Sequence, residues 1–270
     1  MQAKTIGPDL YLVSGSDGNM LVLVGADGPV VVGEPARSLT GRAQALLASL
    51  HAPPVHYVLV TAGANTGQRG DREWMTHGAI CIAHEGIRFG ALSLASSDPS
   101  RRSEVPEIGF SEVLQLGVDG EEIHAVHQEG GYSAADVSVH FERRHVLYLG
   151  GLFTTDGYPA IAVDQGGSID GLIATASKFI GMFGSAPAHV EPIVPGRGPA
   201  ATMQDLRDYG QMLESVRARV ARAAAAGESL ESVVRAHPTA PFDARWGKGP
   251  VSPDQFVAMV YRSLQKAQKQ

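Results

Sequence analysis

The stretch Val58-Leu-Val-Thr-Ala-Gly-Ala-Asn-Thr-Gly-Gln-Arg-Gly-Asp71 decides how the rest of the chain is read. Its apolar start reads as a buried strand ending at Thr61. From there the chain opens into a loop punctuated by Gly63, Gly67 and Gly70, in which most side chains are small. A strand that stops abruptly at such a loop is a common way to present a site at a sheet edge.

Upstream, residues 9–13, 19–24 and 29–33 read as short strands, with Gly25-Ala-Asp-Gly28 as the turn before the last of them. Residues 40–50 have helical periodicity, with Leu39, Ala43, Leu46, Leu47 and Leu50 on one face. Strands follow at 56–61 and 80–84, with a short helix at 73–77 between them. The order is therefore β-β-β-α-β-α-β. Residues 92–109 are rich in Ser, Pro and Arg and predict a long surface loop, placed to act as a flap over a cleft. Strands return at 112–116, 122–127, 137–141 and 146–149. An amphipathic helix over 170–183 buries Leu172, Ile173, Ala176, Phe179, Ile180 and Phe183. A last strand over 189–194 closes on Pro195-Gly-Arg-Gly-Pro199. Residues 202–226 form a long helix with Thr202 as N-cap and Asp205 in the capping-box position, ending at Gly227. Two more helices, 230–236 and 253–268, flank the connector 237–246. No internal repeat recurs at a fixed spacing.

Composition narrows the function classes. The chain has 270 residues, 44% hydrophobic and 19% charged, within the range of an ordinary globular protein. A formal net charge of −6 argues against broad affinity for nucleic acid or anionic membrane, and no apolar run is long enough to span a bilayer. The single cysteine, Cys81, sits in the apolar run Ala79-Ile-Cys-Ile-Ala83 and reads as a small buried hydrophobe. Met1-Gln-Ala-Lys-Thr-Ile6 lacks the apolar core of a secretory leader, so a cytoplasmic location is expected.

Several landmarks in order resemble the metallo-β-lactamase superfamily. Its signature loop reads Thr-His-x-His-x-Asp-His-x-Gly-Gly-Asn. Here Thr61 and Gly70 match, Asp71 stands for the Asn, and Ala62, Ala64, Thr66 and Gly67 replace the ligands. Asn19 with the following strand and turn resembles the opening hairpin. Val30-Val-Val-Gly33 resembles the second strand, with Gly33 in place of its closing Asp. His127-Gln-Glu-Gly-Gly-Tyr-Ser-Ala-Ala-Asp136 resembles a segment whose ligand His is here Tyr132. Val146-Leu-Tyr-Leu-Gly-Gly-Leu-Phe153 has Gly151 where the metal-bridging Asp stands, and Pro195-Gly-Arg-Gly-Pro199 has Arg197 in place of the last His. The run at 166–171 and the helical tail are also similar to those of family hydrolases. The resemblance implies an α+β fold, a four-layer αββα sandwich over residues 1–200, with a helical C-terminal extension over 201–270 packed on it.

The same resemblance implies a dinuclear metal site, but its seven ligand positions hold Ala62, Ala64, Thr66, Gly67, Tyr132, Gly151 and Arg197. None is a good zinc donor, and the fixed charge of Arg197 repels a cation. No metal and no other cofactor is therefore expected, and none of the ten histidines stands in a His-x-His pair. The replacements read as a rebuilt site, in which Tyr132, Tyr148 and Arg197 are the candidate catalytic residues. Glu34, Asn65, Gln68 and Arg69 on adjoining loops are the candidate substrate-binding residues. Arg197 would hold an anionic or carbonyl group and a tyrosine would donate a proton. The alternative for the same residues is purely structural: Arg197 paired with Glu34 or Asp136, and the tyrosines filling core.

Two other functions stay open. One is a non-catalytic partner subunit in a homo- or hetero-oligomer, with the tail and its Ala-rich run 217–226 as the contact surface. The other is metal-dependent hydrolysis of a lactam, lactone, thioester or ester with atypical ligands. Gly-x-Ser-x-Gly is absent, and the glycine runs lack the spacing of a phosphate cradle.

Overall fold

The computed structural model describes residues 3–33, 37–62, 71–185 and 190–267. Strands β1 (Ala3–Gly7), β2 (Leu10–Gly15), β3 (Gly18–Leu23), β4 (Val30–Gly33), β5 (Tyr57–Val60), β6 (Ile80–His84) and β7 (Ile108–Phe110) lie side by side in that order. Pairing is antiparallel from β1 to β4 and parallel from β4 to β7. The parallel steps are made by crossover helices α1 (Arg37–Ser49), α2 (Asp71–Thr76) and α3 (Glu85–Ser97). A second sheet holds β8 (Val113–Val118), β9 (Glu121–Gln128), β10 (Asp136–Phe141), β11 (Val146–Thr154) and β12 (Ile193–Arg197), with β8 and β12 at its edges. Only β11 and β12 pair parallel, through the crossover that contains α4 (Ile169–Phe183).

Burial explains why these runs read as continuously apolar. Along β4, Val30 and Val32 face the space between the sheets, where Leu21, Leu59, Ile123, Val139 and Tyr148 meet them. Val31 points the other way, into a layer with Val58, Val60, Cys81, Leu39 and Trp74. In β11, Val146 and Tyr148 join the core between the sheets while Leu147 and Leu149 join the outer helices. Both faces are covered over β3 to β5 and β11, so alternation gives way there to runs of Val, Ile and Leu, whereas β8 and β9 keep an alternating pattern. The layers are helix, sheet, sheet, helix, as expected.

The tail continues this packing. α5 (Met203–Ala225) starts at the expected capping box: Thr202 Oγ1 accepts from the Asp205 N–H and the Asp205 carboxylate accepts from the Thr202 N–H. α6 (Leu230–Arg235), α7 (Asp243–Trp246) and α8 (Pro253–Ala267) follow. Leu206, Tyr209, Leu213, Val220, Trp246, Phe256 and Val260 share one apolar cluster with Phe153 of β11 and Leu172 and Phe179 of α4. No helix among the described residues is long and apolar enough to cross a membrane.

The structure corrects three expectations. Residues 92–109 are not a long loop: α3 runs to Ser97, a 3₁₀ turn covers Pro99–Glu104, and β7 follows. The helix escapes notice because only Ile87 and Ala91 are buried, one residue per turn, and Gly86 and Gly90 lower its propensity. Strand β1 was not anticipated, and β11 runs on through Gly150 and Gly151 to Thr154. The last strand begins at Ile193, four residues later than expected, and extends to Arg197.

Phe256 is fully buried although it lies in the extension. Phe256→Ala should lower unfolding free energy by about 3–5 kcal/mol in urea titrations. A change within about 0.5 kcal/mol, the usual surface range, would mean that the extension folds apart from the sandwich.

Candidate functional site

A cleft of about 270 Å³ opens at the ends of β3, β11 and β12. Asn19 is its main structural residue. Buried at the start of β3, its amide donates to the Pro195 carbonyl at 2.9 Å and to the Gly198 carbonyl at 2.8 Å, clasping both ends of the turn that carries Arg197. The Asn19 carbonyl in turn accepts from the Tyr148 hydroxyl at 3.0 Å. The turn also passes where only glycine fits: a Cβ at Gly196 would lie 2.6 Å from the Gly150 carbonyl oxygen.

Each tyrosine sits against a glycine. A Cβ on Gly33 would come within 2.9 Å of the Tyr148 hydroxyl, and one on Gly151 within 3.1 Å of the Tyr132 ring. The phenols thus take the room that side chains at 33 and 151 would need. Tyr148 is 1% exposed and its hydroxyl is engaged; Tyr132, in the β9–β10 loop, is half-buried and lines the cleft with Tyr148 and Arg197.

Arg197 ends β12, side by side with Thr154 of β11. Its Nε lies 3.5 Å from the Asp156 carboxylate, close enough for charge attraction, and although the atom is buried it has no hydrogen-bond partner among the described residues. Thr154 Oγ1 donates to the other Asp156 oxygen at 2.8 Å, which aims the carboxylate. Among the described residues the partner of Arg197 is Asp156 and not Asp136, which is buried and accepts from the Ser133 N–H and Oγ–H. Glu34, Asn65, Gln68 and Arg69 lie outside the described residues.

Residues that the sequence reading missed complete the walls. Asp17 comes from the β2–β3 turn, Gly18 from the start of β3, Phe153 from β11, Tyr158 and Pro159 from the segment after it, and Pro250 and Val251 from the chain before α8. The Tyr158 hydroxyl lies 2.8 Å from Asp243 Oδ1 and 3.3 Å from the Thr239 carbonyl, and its N–H donates to the Trp246 carbonyl. Burial, with Asp243 beside it, pushes this phenol far above its usual range, so it stays protonated. Asp156 sits in the turn Thr154-Thr-Asp-Gly157 at the end of β11, which was not singled out from the sequence, and Pro250 and Val251 had no local signal. The cleft thus offers one guanidinium, two carboxylates and aromatic walls.

No family model and no curated protein matches this sequence. Solved structures do. The structure is similar to a metallo-beta-lactamase from Pontibacter korlensis, at a TM-score of 0.63 and 13% identity over 79% of this chain and 98% of that one. It is similar to the DIM-1 metallo-beta-lactamase at 0.61 and 14%, over 79% and 96%. It is also similar to the stereoselective inverting sec-alkylsulfatase Pisa1 from Pseudomonas sp., at 0.69 and 16% over 96% of this chain and 49% of that enzyme, about half its length. The chain has the metallo-β-lactamase fold.

In the metallo-β-lactamase fold four of the seven expected ligand positions are described here, and they do not fit a metal. Ala62 offers a methyl group, Gly151 no side chain, Tyr132 a ring packed on Gly151, and Arg197 a cation beside Asp156. Ala64, Thr66 and Gly67 lie outside the described residues. No three His, Cys, Asp or Glu side chains among the described residues are grouped so as to hold an ion.

Asn19→Ala would leave two buried carbonyls without donors and should lower stability by roughly 1–3 kcal/mol by chemical denaturation. Asn19→Asp should lower it further, because a carboxylate would then face both carbonyls. Equal stability of the two variants would count against the clasp.

Proposed function

We propose that this chain is a small-molecule-binding or catalytic protein that works without a metal, with a pocket rebuilt around Tyr132, Tyr148 and Arg197. The reading is carried by one observation: these three residues line one concave cleft, with a buried guanidinium nitrogen that makes no hydrogen bond among the described residues. Arg197 holds an anionic or carbonyl oxygen, since a guanidinium gives charge-assisted donors in a fixed fork. Tyr132 is the proton donor. Tyr148, whose hydroxyl is committed to the Asn19 carbonyl, shapes the pocket.

The donor set argues for this over metal-dependent hydrolysis, and the packing of the tail weighs on the partner-subunit reading. In the run 217–226, Val220 is buried in the chain's own core, Arg217 pairs with Asp170 and Arg219 donates to the Pro238 carbonyl. One side of the run is thus taken by the chain's own packing, while Ala218, Arg222, Ala225 and Ala226 stay exposed.

A fragment screen by thermal shift, repeated on Arg197→Ala, tests the proposal. Ligands of the cleft should bind the variant at least tenfold more weakly, about 1.4 kcal/mol or more, while its melting temperature stays close to wild type. Unchanged binding overturns the role of Arg197. Near-stoichiometric zinc, iron or manganese in protein purified without chelators would favour the hydrolase.

A further inference from the structure

The β9–β10 loop that carries Tyr132 leans on a pair of histidines not used by the cleft. His84 ends β6 and caps α3, its Nδ1 accepting from the Gly86 N–H at 3.1 Å. His127, in β9, stacks on it with ring centroids 4.0 Å apart and planes 16° apart. His127 Nε2 donates to the Ala134 carbonyl at 3.0 Å, two residues beyond Tyr132. The first turn of α3 touches the same segment, since a Cβ on Gly86 would lie 3.4 Å from Ala135 Cβ. The far side of the loop is fixed independently: the Ala162 N–H donates to the Tyr132 carbonyl and the Ala134 N–H to the Gln165 carbonyl. The histidine pair therefore sets one side of a turn whose other side is anchored.

We infer that His84 and His127 are positioning residues for the Tyr132 loop, and that a proton on His84 displaces residues 132–135. The consequence for ligands rests on the cleft being the binding site; the displacement does not.

The chemistry follows from the ring. Nδ1 can accept from Gly86 only while it carries a lone pair, and protonation removes it. A cation there would also sit at the positive end of α3. Two stacked imidazoles cannot both be charged without repulsion. Burial, then His127, hold His84 below the ordinary histidine range. The groups that oppose this are Glu85 at the start of α3, and the Ser111 backbone and Glu112 from the β7–β8 connection. These are weaker than burial, and the ring is neutral at pH 7. An unfolded chain takes up this proton near pH 6.5, whereas the folded ring resists it. Stability is therefore fully present above that value and declines as pH falls through it toward the lower folded one.

The test is a pH titration of the full, ¹⁵N-labelled chain from 7.5 to 5 by NMR, without ligand. In wild type the amide signals of Tyr132, Ser133, Ala134 and Ala135 should shift together, with the midpoint of the His84 ring and below 6.5. His84→Asn keeps a side-chain acceptor at the cap but does not titrate. His127→Gln keeps a donor for Ala134. The double variant should stay folded and hold these amides near their neutral-pH positions throughout. Amides that stay still while the His84 ring titrates, or that shift equally in the double variant, overturn the inference. Loss of the Arg197 effect with the amides still following His84 would sink the pocket and leave this coupling standing.

Discussion

The constraint on which this structure rests is that neither sheet has a wet face over its central strands. Val30, Val31 and Val32 are each fully buried, although successive side chains point to opposite sides. The same holds for Val58 and Leu59, and for Val146 through Leu149. Strands of this kind cannot stand at a surface, so helices must cover them on the outside and the second sheet on the inside. Polar side chains reach the outer face of β9 and β10, as at His124, Ser138 and His140, while the cleft lies where the strands end.

At those ends the chain packs backbone on backbone. Gly150, Gly196 and Gly18 let three chain segments pass close together, and the Asn19 amide satisfies the carbonyls that this crossing buries. Gly33 and Gly151 leave room that Tyr148 and Tyr132 take up. A close-packed interior tolerates few voids, so the absence of side chains at 33 and 151 and the phenols opposite them belong together. This gives the tyrosines a structural reason to be present whatever else they do.

Local signals in the sequence were legible, and non-local ones were not. The Thr202–Asp205 capping box is four residues long and was readable, as were the strand at Val58 and the apolar face of α4. The order of landmarks carried the fold even though the residues that give the family its chemistry are replaced. Helix α3 was missed because its buried stripe is one residue wide and two residues long, and β7 because it has only three residues, one of them buried. In the candidate site, Tyr132, Tyr148 and Arg197 could be placed on one cleft from motif positions, whereas Asp156 as the partner of Arg197 needed the register of β11 on β12. Pro250 and Val251 come from nearly a hundred residues beyond Phe153, and no pattern within the chain announces such a contact.

That last contact has a consequence for synthesis. The outer face of β11 and the apolar side of α4 are covered by helices α5 to α8, the last of them made of residues 253–267. A chain leaving the ribosome from its N-terminus completes both sheets, and α4, before helices α5 to α8 that finish the cover of one of them. Until the final helix emerges, Leu147, Phe153, Leu172 and Phe179 lack much of their packing, and the wall formed by Val251 is not yet in place. Exposed apolar surface of this kind attracts chaperones or neighbouring chains. The interval before α8 docks is therefore one in which the outer face of β11 stands only partly covered.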